Sequence, residues 1–279
     1  MFDCVGIVGV GLIGASIGLS LKERGLCGRV LGFGRSVESL RAAERIGAID
    51  AGHVGLSDDL KSAQLVVICA PVDRIVDLTI DATAFTAPEA LITDAGSTKA
   101  RIVAALTERL PPHIQFVGSH PIAGREKTGP TAALADLFKG KTCVVTPVER
   151  TPLNVIAQVS QFWDSLGMDI LILPPDRHDE LLARTSHLPH LIASALASLL
   201  GDDEKPLAGS GFRDTTRIAA GSPELWTAIF EQNRPALLKS LDEYTRRLEK
   251  FRAALESNDS ATLKELLSDG KSKRDALGS

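Results

Sequence analysis

Cys4-Val5-Gly6-Ile7-Val8-Gly9-Val10-Gly11-Leu12-Ile13-Gly14 is an apolar run of strand length that breaks into three glycines at G-x-G-x-x-G spacing. Cys4–Val8 predicts a strand and Gly14–Arg24 a helix, so the glycines fall at a strand-to-helix turn. Each glycine then has a separate physical task. Gly9 permits the tight turn, Gly11 lets backbone approach a diphosphate, and Gly14 lets helix and strand pack closely. Leu12 and Ile13 complete the turn, and the diphosphate sits at the positive end of the helix. A glycine-rich turn with no ligand is the structural alternative.

Outward from this turn, Val30–Phe33 and Leu65–Ala70 read as further apolar strands. Leu91–Asp94, Phe116–Gly118, Thr142–Thr146 and Ile170–Leu173 continue the series. Helical stretches such as Lys99–Leu110 and Leu153–Leu166 lie between them. Continuous apolar strands separated by helices predict a Rossmann-type parallel sheet covered on both faces. After Pro174-Pro175 no strand-like run is evident. Asp179–Leu200 and Leu225–Leu255 carry apolar residues at helical spacing, with a kink or a new helix start expected at Pro235. The expected organisation is therefore α/β, with a dinucleotide-binding domain over 1–174 and an all-helical domain over 175–279. The polar tail from Asp269 is expected to be mobile. A helical domain of this size buries its apolar positions best against a second copy, which predicts a homodimer.

The strand at Val30–Phe33 runs into Gly34-Arg35-Ser36. An acidic residue at this point binds the ribose 2′-hydroxyl of NAD, whereas Arg35 with Ser36 suits the 2′-phosphate of NADP. Glu38 is near enough to reach a ribose, so NAD stays open, and an exposed loop arginine is the plainer reading of Arg35.

Composition narrows the partners. With 31 basic and 35 acidic residues the net charge is −4, which gives no basic field for nucleic acid or an anionic membrane. No apolar run reaches the roughly 18 residues of a membrane span. Cys4, Cys27, Cys69 and Cys143 form no C-x-x-C pair, and a reduced, cytoplasmic chain without a signal sequence is expected.

Three further segments carry candidate chemistry. Thr93-Asp94-Ala95-Gly96-Ser97-Thr98-Lys99 lies at the end of a strand, with Ser97 placed to meet a ligand, to cap the next helix, or to do both. Gly118-Ser119-His120-Pro121 puts a histidine at a strand end, and histidine is the usual proton acceptor when an alcohol is oxidised. Ser210-Gly211-Phe212-Arg213-Asp214-Thr215-Thr216-Arg217 sets two arginines beside an aspartate, a composition suited to gripping a carboxylate or to a surface ion-pair network. His187 and His190 in Ser-His-Leu-Pro-His stand three apart, but no third ligand accompanies them, so no metal site is expected.

Together GVGLIG (9–14), DAGSTK (94–99), GSHPIAG (118–124) with Glu126-Lys127, SHLPH (186–190) and GFRDTTRI (211–218) resemble the prephenate/arogenate dehydrogenases, in that family's order over about residues 5–255. The resemblance implies an NAD(P)-dependent oxidative decarboxylation in tyrosine biosynthesis. By it, His120 takes the proton of the ring hydroxyl and Ser97 orients His120 or that hydroxyl. Arg217 holds the substrate's side-chain carboxylate, His190 lines the pocket, and Glu126 and Asp214 stand as charges at its mouth. Arg213 is the alternative anchor, and the hydroxyl of Ser210, near Arg217, favours the ammonium of L-arogenate slightly over the keto group of prephenate. A monofunctional enzyme is expected. Two rivals share the glycine fingerprint. A 3-hydroxyacid dehydrogenase would need a lysine in the second domain, and none occurs between Lys141 and Lys205. A non-catalytic NADPH sensor would need neither His120 nor Arg217.

Overall fold

The computed structural model describes residues 2–125 and 127–278. Six strands, β1 (Phe2–Val8), β2 (Cys27–Gly34), β3 (Ala51–Val54), β4 (Leu65–Ile68), β5 (Leu91–Asp94) and β6 (Gln115–Phe116), form one sheet in the order β3-β2-β1-β4-β5-β6. Every pairing in it is parallel, as the apolar runs predict. The strand order reverses at β1/β4, where an open α/β sheet binds its ligand beyond the strand ends. Helices α1 (Leu12–Glu23), α2 (Val37–Arg45), α3 (Ile75–Thr83) and α4 (Ala100–Arg109) connect these strands. β3, α2 and α3 are additions to the sequence reading. The short β3, Ala-Gly-His-Val, has little apolar signature of its own and pairs along β2.

The run read as one strand, Phe116–Gly118, is split. β6 ends at Phe116, and β7 (Gly118–Pro121) starts a second sheet with β8 (Thr142–Thr146) and β9 (Asp169–Ile172). β7 is antiparallel to β8 and β8 parallel to β9, so the parallel sheet does not continue through these runs as expected. Gly118 makes the close approach possible, because a Cβ there would lie 2.6 Å from Thr146 Oγ1. Helix α5 (Leu153–Ser165) packs Phe162 and Trp163 into the core beneath this second sheet.

Beyond β9 the described residues are helical. The helical spacing over Asp179–Leu200 falls on an interrupted run: α6 (Pro175–Leu182) passes through a π turn, Ala183–His187, into α7 (Leu188–Ala197). Pro189 has no N–H for the usual i−4 bond, which favours such a local widening. Helices α8 (Ser210–Thr216) and α9 (Pro223–Gln232) follow. The break expected at Pro235 is a new start, with α10 spanning Arg234–Glu256. The tail from Asp269 is not loose as expected: α11 runs Ser260–Asp275, with Lys273 and Asp269 paired one turn apart. The Rossmann-type sheet is thus followed by a helix-rich portion. The change of texture near residue 174 coincides with the end of β9, while compactness divides the chain into Met1–Asn233 and Arg234–Ser279.

Candidate active site

Backbone geometry at the glycine turn tests whether a dinucleotide fits. Gly9 has φ +99°, and a Cβ there would sit 2.1 Å from the carbonyl oxygen of Cys69. A Cβ on Gly14 would sit 2.1 Å from Gly9 O. A Cβ on Gly11 would meet nothing within 4 Å. Two glycines are therefore needed by the fold, and the middle one faces open space. Gly11 precedes α1 with no side-chain cap and no acidic residue in the first turn. The first-turn N–H groups, including those of Ile13 and Gly14, so remain oriented for an anion. Beside the turn lies a cavity of about 650 Å³ lined by Gly9, Phe33, Arg35, Ala70, Arg74 and Leu78, among others. Arg35 borders it. Ser36 caps α2 instead, its Oγ accepting from Ser39 N at 3.2 Å. These residues fit a nicotinamide dinucleotide.

A second cavity, of about 380 Å³, is lined by Ser97, His120, Ile122, Leu182, His187, His190, Trp226 and Ile229, among others. β7 delivers His120 to it, paired against Val144 and almost wholly buried. Nδ1 of His120 lies 2.8 Å from Nε2 of His178, and Nδ1 of His178 lies 2.8 Å from Asp179 Oδ1. An ionised carboxylate only accepts. His178 therefore donates from Nδ1 and accepts at Nε2 from His120 Nδ1–H. The lone pair of neutral His120 is left on Nε2. Burial holds His120 well below its ordinary pKa, and the positive charge of Lys99 and the neighbouring His178 act in the same direction. Burial likewise lowers His178, against the opposing pull of Asp179. A neutral imidazole with a fixed tautomer can take a proton.

Asp179 does a second job. Its Oδ1 and Oδ2 accept from Lys99 N and Ala100 N at 2.8 and 2.9 Å, so it caps α4 from another helix. The cap expected from Ser97 is thus supplied by Asp179, and Ser97 turns to the cavity instead. The buried Lys99 ammonium pairs with Asp94, whose carboxylate also accepts from Gly96 N and Ser119 N. Ser119 Oγ donates to Asp94 O and accepts from Trp163 Nε1 at 2.8 Å. The tops of β5 and β7 are locked together by these bonds.

His190, from α7, stacks on Trp226 with ring centroids 3.6 Å apart. A Cβ on Gly221 would come 2.6 Å from Trp226 Nε1, so a glycine is needed beside this pair. Ile218 lines the cavity, and the adjacent Arg217 is exposed. Ser210, Arg213 and Asp214 are exposed on α8 and do not line the cavity of a single chain, and Arg213 Nε donates to Ala208 O at 3.0 Å. Glu126 lies outside the described residues. His178, Asp179 and Asn233 had no sequence signal that marked them, and Lys99 is marked only as the end of DAGSTK. His178 and Asp179 sit in the polar run Pro-Asp-Arg-His-Asp-Glu, 58 residues from His120 in the case of His178.

A Rossmann-type sheet with its glycine turn, next to a cavity holding a buried neutral histidine, defines a nicotinamide-dinucleotide-dependent dehydrogenase. Residues 17–172 match the prephenate dehydrogenase nucleotide-binding domain, and residues 174–269 the prephenate dehydrogenase dimerization domain. The chain belongs to the prephenate dehydrogenase family. It is 35% identical to the cyclohexadienyl dehydrogenase of Zymomonas mobilis, over 99% of this chain and 97% of that protein. The crystal structure of prephenate dehydrogenase from Aquifex aeolicus in complex with hydroxyphenyl propionate and NAD+ superposes with a TM-score of 0.93 at 30% identity, covering 99% of both chains. Arogenate dehydrogenase from Synechocystis gives a TM-score of 0.83 at 31% identity, over 98% of this chain and 99% of that one.

Proposed function

We propose that the chain oxidises prephenate and/or L-arogenate with loss of the ring carboxylate as CO2, in tyrosine biosynthesis. The observation that carries this reading is the line Asp179–His178–His120, which ends in a cavity large enough for a small ring. Nε2 of His120 accepts the proton of the ring hydroxyl, while His178 and Asp179 keep the imidazole in the competent tautomer. Bound NAD(P)+ supplies the hydride acceptor. The protein supplies no base or acid to the CO2 loss, because the electrons of the broken bond complete an aromatic ring. The product is 4-hydroxyphenylpyruvate from prephenate or tyrosine from L-arogenate. Ser97 stands in the same cavity to orient the hydroxyl, with His190 in its wall. Arg217, next in sequence to a lining residue, takes the side-chain carboxylate.

NADP is the proposed preference, supported by Arg35 at the dinucleotide cavity and by the lack of an acidic residue in Gly34-Arg35-Ser36. A homodimer through the helical region is supported by the match to a dimerization domain and by Leu238, Leu248 and Leu255 exposed on α10. We place the functional boundary near residue 174, where the last strand has ended. Four free thiols suit the cytoplasm. Nicotinamide absorbance followed with prephenate and L-arogenate, each with NAD+ and NADP+, tests the reading. Reduction is expected with at least one pair, and none with any of the four pairs would overturn it.

A further inference from the structure

His187 closes the π turn between α6 and α7, lines the cavity that holds His120, and is 1% exposed. Its Nδ1 lies 3.0 Å from Asn233 Nδ2. The same Asn233 nitrogen lies 2.8 Å from the carbonyl oxygen of Asp179. A backbone carbonyl only accepts, so the amide group must present its NH2 there and cannot be flipped. That NH2 uses one hydrogen on Asp179 O and the other on His187. His187 Nδ1 is therefore an acceptor, and its ring proton resides on Nε2.

Nε2 is fully buried and has no protein partner among the described residues. Burial lowers the His187 pKa to about 4, so the ring is neutral at working pH. A buried N–H without an acceptor is unfavourable, and native folds rarely keep one unless a ligand or solvent completes it. His190 Nδ1, in the same wall, is also without a protein partner among the described residues, and no bond among them fixes its tautomer.

We propose that His187 is a substrate-binding residue that donates from Nε2 to an oxygen of the leaving ring carboxylate. This rests on the functional reading above. The chemistry favours this group for a neutral donor. A full positive charge against the ring carboxylate would stabilise it more than the neutral CO2 it becomes, and so would oppose its departure. A neutral N–H orients the group with a smaller ground-state penalty. The side-chain carboxylate, which keeps its charge throughout, is the better match for Arg217.

The test compares His187→Phe and His187→Gln with the wild-type chain. Three quantities are measured: the KM of whichever substrate turns over, the inhibition constant of the aromatic product, which lacks the ring carboxylate, and binding of the dinucleotide as a check on folding. His187→Phe is expected to raise KM about tenfold or more and to leave the product's inhibition constant within about twofold. His187→Gln, which keeps an N–H donor near the Nε2 position, is expected to fall between wild type and His187→Phe. An equal rise in KM and in the product's inhibition constant would place the bond on a group that both molecules share and overturn the assignment. So would an unchanged KM in His187→Phe, or a His187→Gln as impaired as His187→Phe. If His187→Phe fails to bind dinucleotide, the Gln variant alone decides, and a KM equal to that of wild type or raised together with the product's constant overturns the proposal. No turnover by the wild-type chain would overturn the functional reading, and this assignment with it.

Discussion

Nδ1 of His120 and Nε2 of His178 are 2.8 Å apart, and the proton between them belongs to His120. The acceptor-only carboxylate of Asp179 on the far side of His178 fixes that direction. His120→Asn should keep dinucleotide binding and lower kcat by roughly 10²–10⁴-fold, the usual worth of a general base. A variant within a few-fold of wild type would remove His120 from the mechanism. As the proposed base, His120 must be neutral to act, and its pKa is depressed. The acid limb of kcat/KM should therefore lie well below pH 6.5. His178→Phe removes the orienting bond to His120. It should lower kcat while dinucleotide binding is kept. An unchanged kcat would mean that the bond to His178 does not hold His120 in its competent tautomer.

The three glycines of the turn should respond differently to a methyl group. Gly11→Ala places its Cβ in open space and should leave thermal stability unchanged while weakening dinucleotide binding. Gly14→Ala drives a Cβ against Gly9 O and should destabilise the fold by about 1–3 kcal/mol or more. Thermal unfolding and dinucleotide titration of both variants check this. A Gly11→Ala chain that binds dinucleotide as wild type does would show that the diphosphate lies elsewhere.

Arg35→Ala should weaken NADP+ far more than NAD+, since only NADP+ carries the phosphate that Arg35 would pair with. A charge-assisted bond is worth about 1.5–3 kcal/mol, or roughly one to two powers of ten in Kd. Equal losses for the two nucleotides in a direct binding titration would leave Arg35 as a surface residue.

The part of the site that could be read from sequence is the part built locally. Gly9, Gly11 and Gly14 have their tasks set by neighbours within a single turn, so their spacing sufficed. His120 was visible because a strand end and a proline bracket it. His178, Asp179 and Asn233 act on residues 46 to 80 positions away, and their local sequence looks like an ordinary polar helix start and a helix end. Lys99 is legible as the end of the DAGSTK motif but not in its role, because nothing in Ser-Thr-Lys-Ala says that the ammonium turns inward to Asp94. The split at Val117 failed for a related reason. A two-residue strand and its successor have one apolar signature but belong to different sheets.

Stability should fall with acid as the buried histidines are protonated, and His187 is one of them. Its pKa is about 4 in the fold against an ordinary 6.5. Between those values the unfolded chain binds a proton that the folded chain does not, so stability rises with pH there. The contribution is complete above pH 6.5 and is lost progressively down to about pH 4, a change of about 3 kcal/mol at full extent. Urea unfolding from pH 7 to 4 should show this decline, and His187→Gln should flatten part of it. An identical slope in the variant would assign the decline to other groups.

Lys99 and Asp94 provide the final test, because both side chains are fully buried and Asp94 accepts from Ser119 N, the residue before His120. Lys99→Met would leave the buried Asp94 carboxylate without its cation, with the Gly96 and Ser119 N–H groups as its remaining partners among the described residues. Removing one partner of such a pair typically costs about 3–5 kcal/mol, whereas removing both charges costs much less. Lys99→Met should therefore be strongly destabilised, and the double variant Asp94→Asn/Lys99→Met should recover part of the loss. The positive charge of Lys99 also lowers the His120 pKa. In the double variant, which keeps more of the fold, the acid limb of kcat/KM should consequently rise in pH. Denaturant unfolding at pH 7 and a pH–rate profile measure the two effects separately. A Lys99→Met chain within about 1 kcal/mol of wild type would show that water or a proton readily compensates Asp94. The pair would then be no structural support for the base.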